Sequence, residues 1–177
     1  MALVVLLRGV NVGGHRTFRP AALVKKLANL DAVNIGAAGT FVIRRPIARA
    51  KLRAELARGL PFETEIVICE GRDLLALTAR NPFAGQPAPA DVVHFVSVLA
   101  GRPRAEPPLP LSIPPSGQWM MKILERDNAF VVGMYRRNMK AVGNLGKIDR
   151  LFGVPATTRN WNTITAIAKV LSDGAAR

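Results

Sequence analysis

Residues 2–15 read ALVVLLRGVNVGGH. Ala2 to Leu7 is an unbroken apolar run with no alternation, the pattern of a strand buried on both faces and central in its sheet. Gly9, Gly13 and Gly14 follow within six residues, which predicts a tight or left-handed turn. The loop ends at Pro20, a residue suited to the first turn of a helix.

The next elements extend outward from that strand. Leu23, Leu27 and Leu30 make an amphipathic helix after Pro20. Val33 to Ala37 and Thr40 to Arg44 read as two short strands around Gly39. Pro46 opens a second helix carrying Leu52 and Leu56, which Gly59 and Pro61 end, and Glu65 to Cys69 supplies a fourth strand. This order, βαββαβ, is the ferredoxin-like split pattern. A third helix runs from Arg72 to about Arg80 and stops at Asn81-Pro82.

Ala84 to Ala90 holds two prolines and a glycine with little apolar content, so it reads as a linker. Beyond it, Val92 to Leu99 is strand-like. Six prolines between 101 and 117 predict an extended surface crossover. Trp119–Glu125 and Phe130–Tyr135 form a hairpin across Arg126–Ala129. A helix near Lys147–Phe152 ends at Gly153 and Pro155. The expected fold is α+β: a ferredoxin-like βαββαβ subdomain over 1–83, a linker at 84–90, and a second, smaller, incomplete α/β plait over 91–177 that includes the C-terminal helices.

The closing stretch Thr157–Leu171, TTRNWNTITAIAKVL, reads as a helix with an apolar stripe of Trp161, Ile164, Ala168 and Leu171. Its first turn is crowded with Thr, Asn and Arg, which are mostly middling helix formers and rich in hydrogen-bonding groups. Two uses fit them: capping of the free backbone donors, or an anion drawn by those donors, the helix dipole and Arg159.

At 177 residues the chain can bury about 70% of its unfolded surface. With 49% apolar and 21% charged residues, it reads as globular and soluble. No apolar run approaches the ~20 residues of a membrane span, and MALVVLLRG lacks the basic start of a signal peptide. A cytoplasmic protein with no membrane partner is expected. The single Cys69 cannot form an internal disulfide and reads as a small core residue. The net charge of +13 permits an anionic partner. An Ala-, Arg-, Gly- and Pro-rich composition is another source of that charge. The excess divides evenly, 13 basic against 6 acidic side chains in residues 1–88 and 12 against 6 in the rest.

Two segments carry a family resemblance: LLRGVNVGGH at 6–15 and GVPATTRNWNTI at 153–164. They resemble the opening and closing signatures of the bacterial family called domain of unknown function sixteen-ninety-seven. The resemblance implies two small α/β subdomains of ferredoxin-like kind and supplies no reaction. The chain departs from that family's pattern where a Gln-Ser-Gly-Asn run is usual: here the residues are Ala37-Ala38-Gly39-Thr40. Val142-Gly143-Asn144 stands where a Ser-Lys pair is usual.

The candidate ligand-binding residues are therefore Arg8, Asn11, Gly13, Gly14 and His15 after the first strand, and Thr158, Arg159, Asn160 and Asn162 at the closing helix. The leading expectation is that these two groups meet in a pocket for a phosphate-bearing or other anionic ligand, a nucleotide or nucleic acid being the first class to try. A second reading makes them a structural lock, their polar groups satisfied within the protein. A third is an enzyme on a small phosphorylated substrate with His15 as acid or base. No Walker sequence follows the glycines, no metal-ligand spacing occurs and no cofactor is called for. His94 reads as an ordinary strand histidine and Trp161 as a core residue. Arg136, Arg137, Lys140 and Lys147 either track a phosphate backbone or are solvated loop charges. Oligomeric state is left open.

Overall fold

The computed structural model describes residues 1–10, 14, 17–138 and 143–175. The chain divides into two compact units, residues 1–80 with 163–177, and residues 81–162. The sequence reading instead groups the closing helix with the second subdomain; Thr163 onward belongs to the first unit, where Leu171 packs against Gly71.

The first unit begins with β1 (Leu3–Leu7), α1 (Pro20–Lys26), a 3₁₀ turn at Ala28–Leu30, and the hairpin β2 (Ala32–Ile35) and β3 (Thr40–Ile43). It continues with α2 (Arg49–Gly59), β4 (Ile66–Glu70) and α3 (Gly71–Arg80). The strands form an antiparallel sheet in the order β2-β3-β1-β4. β1 lies inside the sheet with all five residues buried, as its unbroken apolar run demands. Alternation sends Leu3, Val5 and Leu7 to one face, where they meet Leu23 of α1, Leu27 at its C-cap, and Leu52 and Leu56 of α2.

The turn between β2 and β3 depends on Gly39. Its φ is +74°, and a Cβ there would come within 2.6 Å of Val10 Cγ2 and 2.8 Å of Leu7 Cβ. Leu7 N–H also donates to Gly39 O at 2.8 Å. The exit of β1 is thereby tied to the hairpin that carries Ala37, Ala38 and Thr40.

The second unit is a five-stranded antiparallel sheet with the order β6-β7-β8-β5-β9. Its strands are β5 (Val92–Leu99), β6 (Leu111–Ile113), β7 (Met121–Asp127), β8 (Phe130–Arg136) and β9 (Ala156–Asn160), with α4 (Lys147–Phe152) before β9. Phe95, Leu99, Met121, Ile123 and Val131 pack with Ile148 and Phe152 of α4. Gly133 has room for no side chain, because a Cβ would lie 2.6 Å from the Phe95 ring.

Two of these strands correct the sequence reading. β6 is a short edge strand inside the proline-rich crossover. The larger correction is β9: Ala156–Asn160 is an edge strand paired with β5, and the closing helix, α5, begins only at Trp161 and runs to Ala175. Thr157, Thr158 and Arg159 therefore are not first-turn helix residues. The weak helix propensity of two adjacent threonines is the other side of their strand preference, since a β-branched side chain fits a pleated surface better than a helix. The stripe of α5 also shifts: Ile164, Ile167 and Leu171 are buried, whereas Trp161 is only half-buried.

Candidate functional site

Antiparallel pairing brings three strand ends together in the second unit. The register sets Val92 opposite Arg136 of β8 and Phe95 opposite Asn160 of β9. The start of β5 therefore lies between the exits of β8 and β9, and α5 begins one residue after β9. The resulting hollow has a volume of about 170 Å³ and is lined by Ala88, Val92, Val93, His94, Arg137, Asn160, Trp161 and Asn162.

Its walls are set by aromatic packing. Phe83 is buried and stacks on the His94 ring, with centroids 4.3 Å apart and planes 7° apart. The same Phe83 meets Trp161 edge to face at 5.0 Å and 71°. Such pairs hold ring orientation as well as burying surface. His94 Nε2 lies 3.0 Å from Pro87 O. A carbonyl oxygen only accepts, so Nε2 carries the proton, and the neutral ring has its lone pair at Nδ1.

Arg137 is the permanently charged residue among those that line the hollow. Its backbone N–H donates to Asp91 O at 2.7 Å, which fixes the chain, while its exposed guanidinium makes no ion pair among the described residues. Arg136, one residue earlier, is committed. Its Nη1 meets Asp91 Oδ2 at 2.8 Å, its Nε donates to Trp119 O at 3.0 Å, and its guanidinium lies 4.4 Å above the Trp119 ring. The first turn of α5 contains no acidic side chain, so its positive dipole end is not neutralised there.

The residues singled out by the sequence fall into three groups. Asn160 and Asn162 line the hollow. Thr158 and Arg159 do not. Thr158 Oγ1 lies 2.5 Å from Ser97 Oγ across the strand pair. Arg159 is only 8% exposed, and its Nη1 donates to Thr157 Oγ1 at 3.0 Å and to Thr158 O at 2.9 Å. Burial pushes its guanidinium down to about 10, still charged at neutral pH.

Arg8 and Gly14 belong to the first unit. The Arg8 backbone is held from both sides, its N–H donating to Glu65 O at 3.1 Å and its carbonyl accepting from Thr64 Oγ1 at 2.5 Å. Asn11, Gly13, His15 and Lys140 lie outside the described residues. Cys69 is buried, and burial pushes its thiol up to about 12, which removes it as a nucleophile. His94, Arg137 and Trp161 are the contributors that sequence reasoning passed over or assigned elsewhere. Only strand register, invisible in composition, brings them together.

The fold defines a two-unit α+β protein with two antiparallel sheets. The chain belongs to the family described as Protein of unknown function (DUF1697), which matches residues 1–123. A solved structure, that of the conserved bacterial protein SP0830 from Streptococcus pneumoniae, is similar in fold. It has a TM-score of 0.61 at 16% sequence identity, over 96% of this chain and 98% of that one. No curated protein matches the chain. Among the described residues, no helix is long and apolar enough to cross a membrane.

Proposed function

We propose that the hollow of the second unit binds a small anionic group, with the phosphoryl group of a nucleotide or sugar phosphate as its chemical class. The observation that carries this reading is that the exposed Arg137 and the start of α5 line one hollow together with His94. A guanidinium offers bidentate donors to a phosphate, and the start of a helix offers the positive end of its dipole. At about 170 Å³ the hollow is smaller than the ~300–1,000 Å³ of a pocket that swallows a drug-sized ligand. It takes one charged group and leaves the remainder of the ligand outside. Asn160 and Asn162 orient that group.

Thr158 and Arg159 serve the fold in this reading, as their bonding within the strand supports. The opening loop is not called upon. A cytoplasmic setting belongs to the same proposal, supported by the lone buried thiol of Cys69.

Thermal-shift and calorimetric titrations with inorganic phosphate, nucleoside monophosphates and sugar phosphates test the reading. A ligand that prefers the folded state raises the midpoint by mass action. Arg137→Ala is expected to weaken the tightest of them about tenfold, the value of one charge-assisted contact of roughly 1.5 kcal/mol. If no phosphorylated compound moves the midpoint at millimolar concentration, or if Arg137→Ala leaves affinity unchanged, the proposal fails.

A further inference from the structure

The even division of charge between the two halves of the sequence conceals a concentration within the first. Residues 19–59 carry nine basic side chains (Arg19, Lys25, Lys26, Arg44, Arg45, Arg49, Lys51, Arg53 and Arg58) against Asp31 and Glu55, a net of +7. Elsewhere in residues 1–88 the counts are four and four. The whole excess of that half therefore sits on α1, α2 and their flanks.

Those two helices form one layer. Leu23 from α1, Leu27 at its C-cap, and Leu52 and Leu56 from α2 enter the same core over the same face of the sheet. Lys26 Nζ reaches across to Gly59 O at 3.0 Å. With the apolar stripes turned inward, the charges turn out: Arg19, Lys25, Lys26, Arg45, Arg49, Lys51, Arg53 and Arg58 are all exposed. Neither helix has an acidic residue in its first turn, and α2 begins with Arg49 and Lys51, against its own dipole. Some of the charge is spent locally. Arg49 pairs with Glu70 at 2.8 Å, Arg58 with Glu55 at 2.6 Å, and Arg44 approaches Asp31 at 3.9 Å. Arg19, Lys25 and Lys51 have no such partner among the described residues.

We propose that this helical layer is a docking surface for the phosphate backbone of double-stranded nucleic acid, independent of the hollow in the second unit. Three properties select that partner. The layer is a dense basic field on rigid elements, the electrostatic footprint of backbone binding. It presents no stacking platform: Phe18 and Phe62 pack edge to face on each other at 6.0 Å, and among the described residues the exposed large hydrophobic side chain is Met1. Single strands draw much of their affinity from aromatic faces on which the bases stack, and a helix lying in a lipid surface anchors through apolar side chains. The dimensions also match. Arg49 to Arg58 spans about 14 Å of helix, a length over which a duplex presents roughly eight charges, and α2 sets four basic side chains against Glu55 over that span.

The test is fluorescence anisotropy with a labelled duplex, as DNA and as RNA, alongside the matching single strand and vesicles with anionic headgroups. For the wild type we expect a duplex dissociation constant in the micromolar range or weaker at physiological salt. The logarithm of affinity should fall against that of salt with a slope of roughly −3 to −5, as for about four to five phosphate contacts. The triple variant Arg19→Glu, Lys25→Glu, Lys51→Glu should lose at least about tenfold in affinity and shallow the slope by about 2–3. A control with the same charge change on the second unit, Arg102→Glu, Arg104→Glu, Arg150→Glu, should stay within about threefold. These are exposed side chains, so both variants should unfold at wild-type midpoints. An equal loss in the control reduces the effect to net charge and overturns the proposal. So does a flat salt response, or tighter binding to single strands or vesicles. The DNA and RNA arms show which duplex is preferred.

Discussion

Arg159 on β9 and Arg137 at the exit of β8 differ in a way their sequence surroundings reverse. Arg159 stands in TTRNWNT, the stretch whose polar crowding draws attention first; Arg137 stands in a basic loop that reads equally well as solvated charge. Yet Arg159 is only 8% exposed and bonded to Thr157 Oγ1 and Thr158 O, while Arg137 opens into a hollow. The difference is one of strand geometry. In an extended segment, Arg159 shares a face with Thr157 two residues away, so the threonine hydroxyl and the guanidinium find each other. Arg137 follows the last residue of β8, and among the described residues its guanidinium has no ion pair.

The sharpest way to break the comparison is to remove each guanidinium and measure urea unfolding. Arg159→Ala deletes a buried charge with its hydrogen bonds and leaves Thr157 Oγ1 without that donor. We expect a loss of about 3 kcal/mol. A loss no greater than that of an ordinary surface substitution would mean that Arg159 is not structural.

The alkaline limb sharpens the same point. The folded-state value of Arg159 is about 10 against the ordinary 12.5. In that window the unfolded chain binds more protons than the folded one, so the Arg159 contribution to stability rises as pH rises, and it is absent below the folded value. Compared with Arg159→Met, the wild type should gain about 1 kcal/mol between pH 9 and pH 11. A constant gap between the two proteins across that range would contradict the burial assigned to this guanidinium. Thr157→Val keeps a β-branched residue on the strand and removes only the acceptor. Its expected cost is about 1 kcal/mol, and no cost would show that the hydroxyl is idle.

How much of this was legible beforehand follows from the same residues. β1 was readable because six apolar residues in a row leave a strand no exposed face, and α2 because Leu52 and Leu56 repeat at helical spacing. The class of the fold and the element order of the first unit came from such local periodicities. β9 was misread because a five-residue strand running directly into a helix shows no turn residue between them, so the poor helix formers were counted as a polar first turn. The hollow was legible only by half. Asn160 and Asn162 were found from helix-start chemistry, but His94 and Arg137 lie 66 and 23 residues away from Asn160 in the chain and meet it only through the pairing of β5 with β8 and β9. The basic layer does not show in the charge of either half of the sequence, because residues 19–59 stand beside a neutral remainder of residues 1–88.

The smallest expected effect carries the comparison to its end. Arg137→Ala should change unfolding free energy by no more than about 0.5 kcal/mol, because an exposed side chain with no ion partner among the described residues has little to lose. That near-zero result is informative only beside the ligand titration. A residue held for the fold loses stability and leaves affinity alone; a residue held for a ligand does the reverse. If Arg137→Ala instead costs as much as Arg159→Ala, the guanidinium is bonded into the sheet end, the hollow loses its cation, and the α5 start by itself is ordinary helix capping.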